Sequence, residues 1–117
     1  MAKNIVFEDG NELSLTATDP ATPVSGDPVL IGQLPAVAVT DERADGTTSV
    51  KTDGVATLSV KGIDGGGNSA VAAGDLIYYV AADTPKLSKK ATGVRFGYAL
   101  EAVTSGATAT IRVKLGY

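Results

Sequence analysis

From Ala107 to Leu115 the chain alternates without a break: Ala107, Ala109, Ile111, Val113 and Leu115 fall on one face, Thr108, Thr110, Arg112 and Lys114 on the other. A period of two is the signature of a strand with one buried and one wet face. Asn11 to Thr18 repeats the pattern, with Leu13, Leu15 and Ala17 against Ser14, Thr16 and Thr18. So does Val55 to Lys61, where Ala56, Leu58 and Val60 oppose Val55, Thr57, Ser59 and Lys61. Other stretches are continuously apolar. Val29-Leu30-Ile31 and Ala36 to Val39 have the composition of strands covered on both sides. Leu76 to Val80 and Val94 to Leu100 supply further strands, and Gly93 to Tyr117 reads as two strands joined by a tight Thr-Ser-Gly-Ala turn. The nearest thing to a helix is Ser69 to Ala73, which would make at most one turn.

The punctuation between these segments is that of hairpins. Asp19-Pro20 through Pro23 stops one strand, Asp45-Gly46 and Asp53-Gly54 mark turns, and Gly62 to Ser69 reads as a mobile connector because three consecutive glycines are costly to order. Gly26-Asp27 before Val29 is echoed by Gly74-Asp75 before Leu76. Each echo leads through a turn and an apolar strand to an alternating strand. The reading is an internal duplication with halves 11–62 and 69–117, joined by the Gly-rich residues 63–68, behind an N-terminal arm or edge strand at residues 1–10. The expected fold is all-β: a small single-domain barrel or sandwich of short antiparallel strands, in two pseudo-repeated halves.

Composition narrows the chemistry more than the fold. A chain of 117 residues fits one domain and buries a core without staples. Histidine and cysteine are both absent, which removes the commonest general base, the usual transition-metal ligands and the usual nucleophile–base pairs. No enzyme activity and no cofactor are expected. The net charge of −3 is scattered, and only Lys86, Lys89 and Lys90 cluster, so direct nucleic-acid binding is not expected. No run approaches the ~20 apolar residues of a membrane span, and the start has no signal-peptide pattern, so a soluble product of the cytoplasm is expected.

Individual motifs read blandly. Gly62 to Gly67 lacks the Gly-Lys-Ser/Thr ending and the following helix of a phosphate loop. Asp41, Glu42 and Asp45, or Asp64 with Asn68, do not have the spacing of a twelve-residue calcium loop. Paired carboxylates for glycoside cleavage would need an aromatic-lined cleft, which six aromatic residues hardly furnish. The repeated Gly-Asp also occurs in lipoyl- and biotinyl-carrier modules, but Lys51 and Lys61, the candidates for modification, lack the flanking Met or Asp pattern. Lys89 and Lys90, with Lys86 and Arg95, either face an acidic partner or act as charges that prevent edge pairing. Alternation sends Tyr78 and Tyr79 to opposite faces, leaving one available to a neighbour, where tyrosine is a favoured anchor.

Taken in order, Met-Ala-Lys-Asn, Leu-Ser-Leu, Ser-Gly-Asp-Pro-Val-Leu-Ile-Gly, Pro-Ala-Val-Ala-Val-Thr, Gly-Val-Arg-Phe-Gly-Tyr-Ala-Leu-Glu and Thr-Ala-Thr-Ile-Arg-Val-Lys-Leu resemble the small capsid cement, or head decoration, proteins of tailed bacteriophages. The resemblance covers nearly the whole chain and rests on the order of many weak elements. It implies a structural virion protein on the capsid exterior, made in the host cytoplasm, which bridges subunits of the major capsid protein. It also implies a homotrimer, with a dimer as the other arrangement, and no catalytic residues. The candidate contacts are Lys3, Ile5, Val6 and Phe7 in the arm, with Tyr79, Lys89 and Lys90 on the body. Strand addition is the natural mode for the arm. A non-catalytic carrier module is the alternative.

Overall fold

The computed structural model describes residues 12–115. The first four strands are β1 (Glu12–Leu15), β2 (Pro28–Ile31), β3 (Leu34–Ala38) and β4 (Thr48–Lys51), and they form an antiparallel sheet in the order β1-β4-β3-β2. Next come β5 (Gly54–Lys61) and a small hairpin of β6 (Ile63–Asp64) with β7 (Gly67–Asn68). The remaining strands, β8 (Leu76–Tyr79), β9 (Leu87–Ser88), β10 (Val94–Ala99) and β11 (Thr108–Leu115), close with β5 into a barrel ordered β10-β11-β5-β9-β8. The architecture is all-β, as the periodicity predicts. One pairing is parallel, β5 with β9 at Val60 and Leu87, where only antiparallel neighbours were expected.

The barrel repeats the plan of the sheet. Its order β5-β11-β10-β8 matches β1-β4-β3-β2 strand for strand, and the registers coincide until a bulge between Arg95 and Gly97 shifts β10 against β8. Ala38 pairs with Val50 as Ala99 pairs with Val113, and Pro28 with Val37 as Leu76 with Tyr98. The turns that enter β2 and β8 are the same turn. Gly26 and Gly74 both have φ of 92°, a conformation that strains residues carrying a Cβ. Their amides donate to the carbonyls of Ala38 (2.8 Å) and Ala99 (2.6 Å). The carboxylates of Asp27 and Asp75 each accept from the amide three residues back, at Val24 (3.0 Å) and Ala72 (2.8 Å). The Gly-Asp echo is therefore a piece of chemistry: glycine for the backbone, aspartate to hold the turn shut.

The strand pairing puts the join between the two units at Thr52-Asp53, between β4 and β5, rather than in residues 63–68. The alternating segment Val55 to Lys61, read as the end of the first half, is the opening strand of the second and pairs with β11 along its whole length. Nor is the Gly-rich stretch a free connector. Gly62 is buried, its amide donates to Ala107 O (2.8 Å), and its carbonyl accepts from Ser69 (2.9 Å) and Gly106 (2.7 Å).

Two cores follow from the two units. Inside the barrel Ile77, Tyr79, Leu87, Phe96, Ile111 and Val113 are buried together, with the Tyr79 and Phe96 rings stacked at 6.1 Å. β11 keeps the alternation of its sequence, Ile111, Val113 and Leu115 buried and Thr110, Arg112 and Lys114 exposed. A smaller cluster of Val29, Ala36, Ala38 and Val50 lies in the sheet. Leu30, on the other face of β2, belongs to the barrel's core, and Val37 packs there too. Both faces of β2 and β3 are thus covered, which is why their sequences are continuously apolar.

Candidate functional site

The loop after β1 brings Asp19 to the barrel wall, held by paired backbone hydrogen bonds between Asp19 and Leu30 (3.2 and 2.8 Å). There its carboxylate accepts from the Tyr79 hydroxyl and from Lys86 Nζ at 2.8 Å. The Lys86 ammonium also lies 5.6 Å from the centre of the Tyr79 ring. Burial works to raise the Asp19 pKa, but the hydrogen bonds from Lys86 and Tyr79 outweigh it and hold the carboxyl below its usual value. Burial, and then the Asp19 carboxylate, push the Tyr79 phenol far above its usual range. A carboxylate that stays ionised and a phenol that stays protonated form a tie between the two units, with no proton poised to move.

That geometry corrects the expectation for Tyr79. On β8 the inward positions are Ile77 and Tyr79, so Tyr79 is 1% exposed and offers no surface to a partner. Tyr78 is the half-buried residue of the pair. The lysines expected to make a basic patch are each matched by an acid: Lys86 with Asp19, Lys89 with Asp75 (3.4 Å) and Lys90 with Asp83 (2.9 Å). Lys89 also donates to Ser69 Oγ (3.3 Å) and Ala70 O (3.0 Å), fastening the segment before β8 to the residue that follows β9. These cations hold loops in place as well as colouring the surface. Lys3, Ile5, Val6 and Phe7 lie outside the described residues.

What the body does present is apolar and backbone surface. Val39 and Leu100 are 44% and 39% exposed and occupy equivalent places. Each follows the buried alanine of its unit, and each donates its amide to the neighbouring strand, Val39 to Ser49 O (2.8 Å) and Leu100 to Arg112 O (2.9 Å). A groove of about 250 Å³ runs between the units, lined by Pro20, Asp27, Pro28, Ser59, Pro85 and Lys86. Sequence reasoning had no access to this groove or to the Asp19 cluster. Their residues are up to 67 positions apart, and no spacing rule connects them.

Among the described residues there is no group of three or more acids that could hold a metal ion, and no helix long and apolar enough to cross a membrane. The charged side chains that converge do so in pairs that neutralise each other. The chain belongs to the phage cement protein family, whose family model matches residues 7–115. No curated protein and no solved structure is matched. Membership gives the chain a structural role associated with the phage capsid, and a place in the virion.

Proposed function

We propose that the protein binds the outer surface of an assembled phage head and stabilises it by bridging neighbouring subunits of the major capsid protein. The supporting observation is the duplication: a bridge needs two contact surfaces on one stiff body, and here two units of one plan each present an exposed apolar residue, Val39 and Leu100, at the same place. A ligand that binds only the mature shell stabilises it by its binding free energy, multiplied over many equivalent sites. The arm at residues 1–10, with Lys3, Ile5, Val6 and Phe7, adds a third contact by strand addition to a neighbour. Lys89 and Lys90 belong to the rim of the bound surface, and three copies gather around each site.

Co-sedimentation with purified heads tests the reading. Heads carrying the protein should withstand heating that releases DNA from undecorated heads. Val39→Asp and Leu100→Asp should each weaken retention while leaving the melting temperature of the free protein unchanged, and deleting residues 2–7 should do the same. Failure of the unaltered protein to sediment with heads would reject the proposal.

A further inference from the structure

Charge is sorted between the barrel and the loops of the sheet. The strands β5, β8, β9, β10 and β11 carry Lys61, Arg95, Arg112 and Lys114 and no acid, in a chain whose net charge is −3. The register puts these cations on the outer wall of the barrel. Lys114 lies beside Tyr98 and Val55, Arg112 beside Thr57, and Lys61 beside Thr108. Arg112 and Lys114 are exposed, as are the Thr57, Ser59, Thr108 and Thr110 side chains around them. Arg95 donates to the Tyr98 hydroxyl at 2.8 Å and stands 5.9 Å from its ring centre, which holds the guanidinium against the same wall. Glu101 accepts from Arg112 Nε at 2.7 Å. Lys61 and Lys114 make no ion pair among the described residues.

The counter-charge stands on the loop between β3 and β4. Asp41, Glu42 and Asp45 fall within five positions, and none of them makes an ion pair among the described residues. Arg43, the cation of this loop, is turned back onto the sheet, where it donates to Ser14 Oγ (3.2 Å) and Ser49 Oγ (2.5 Å). The exposed acids are held in place: Asp41 accepts from the Ser25 amide at 2.8 Å and Asp45 from the Thr47 amide at 3.0 Å. Within one molecule no acid of the loop pairs with a cation of the wall.

We infer that the basic wall of the barrel receives the Asp41–Asp45 loop of a second copy of this chain. The ground is charge complementarity between two preformed surfaces of opposite sign carried by one molecule. Each copy has one of each, so the contact runs head to tail and, repeated, closes a ring. It goes beyond the cement reading, since it needs no capsid, and it supplies a contact for the three copies proposed there. From Val55, beside Lys114, to Lys61 the wall extends about 20 Å at about 3.3 Å per residue. The loop therefore covers one end, where Arg95, Arg112 and Lys114 stand closest together, and leaves Lys61 outside. A nucleic acid fits less well. A duplex carries its charge along its whole length, and this chain offers cations over one wall while its total charge is negative.

Sedimentation of the free protein over a range of concentrations tests the inference. At low ionic strength the parent should associate as concentration rises, and salt at about 1 M, where the Debye length falls to about 3 Å, should disperse it. Lys114→Glu and Glu42→Lys should each weaken association about tenfold or more. Neither side chain makes an ion pair, so both variants should melt as the parent does. Lys61→Glu should leave association unchanged. The decisive variant is Glu42→Lys/Lys114→Glu, which exchanges the signs and should associate more tightly than either single variant. A parent that stays monomeric throughout, association indifferent to both substitutions, or a combined variant weaker than either single one would overturn the inference. Lowered melting of Lys114→Glu would overturn it too, because the cation would then be matched within its own chain. A short DNA duplex bound by the parent and released by Lys114→Glu, with no self-association, would transfer the wall to a nucleic acid. Co-sedimentation with heads is a separate measurement: head binding by a protein that never self-associates rejects this inference alone, and self-association without head binding rejects the cement reading alone.

Discussion

Replacing Asp19 with alanine should destabilise the protein out of proportion to an exposed ion pair, because of what it leaves behind. The Asp19 and Lys86 side chains are 32% and 29% exposed, so their attraction contributes about 1 kcal/mol. Tyr79 is 1% exposed, and its hydroxyl donates to Asp19. Without that acceptor, a buried phenol loses its partner at a further cost of about 1–3 kcal/mol. Asp19→Ala should therefore cost about 2–4 kcal/mol in urea unfolding at neutral pH, read as a lower midpoint at unchanged slope. Tyr79→Phe keeps the ion pair and should cost about 1 kcal/mol. The decisive variant is the double one: with no hydroxyl to orphan, Asp19→Ala/Tyr79→Phe should be more stable than Asp19→Ala alone. Additive losses, or a double variant weaker than either single one, would refute the argument. Acid supplies an independent check. The Asp19 pKa is lowered in the folded protein, so its contribution is fully present above the unfolded value near 3.8 and is lost as pH falls through the folded value. The gap between parent and Asp19→Ala should close over that range.

The duplicated turn makes a matched pair of tests. Gly26→Ala and Gly74→Ala each force alanine to φ near 92° with nothing within 4 Å of the new Cβ, so each should cost about 1–3 kcal/mol of backbone strain. The two costs should agree closely and add in the double variant, since the turns lie in different units; a loss at one site only, in urea unfolding, would break the equivalence. Gly62→Ala fails for a different reason: its Cβ would sit 2.5 Å from Thr104 O, and overpacking of this kind costs about 1–3 kcal/mol, measurable as a lower melting temperature.

What the sequence made legible follows from what a period of two encodes. It located β11 and gave its inward residues correctly, because Ile111, Val113 and Leu115 differ in polarity from Thr110, Arg112 and Lys114. It marked β2 and β3 as covered on both faces, since nothing polar interrupts them. Where both faces of a strand carry similar residues, the signal fails: Tyr78 and Tyr79 are certain to oppose each other, but nothing local says which enters the barrel. Val55 to Lys61 was recognisable as a strand, yet strand periodicity carries no information on which unit a strand joins. Glycine misled in the other direction. Gly62 looks like freedom in a list of residues and is a steric requirement in the fold, imposed by a carbonyl 42 residues away at Thr104. The Asp19 cluster depends on how the units meet, a property of tertiary packing with no counterpart in local pattern.

The two units are alike in strand order and unlike in closure, and the difference has an identifiable source. In the first, β2 and β3 are joined by the tight turn Gly32-Gln33; in the second, β8 and β10 are separated by residues 80–93, which carry β9. β9 bridges β8 to β5 and shuts the barrel. The first unit has no such strand among the described residues, so its sheet stays open and turns the Leu30 face of β2 onto the barrel's core instead. Its own cluster of Val29, Ala36, Ala38 and Val50 is small for an independent fold of about 40 residues. The sheet is therefore stable as part of the barrel's surface, fixed there by Leu30 and by Asp19 on Tyr79 and Lys86. For the proposed bridge this coupling is the useful property. Two loosely hinged units would let a pull between capsid neighbours dissipate in the hinge, whereas units that share a core transmit it from Val39 to Leu100.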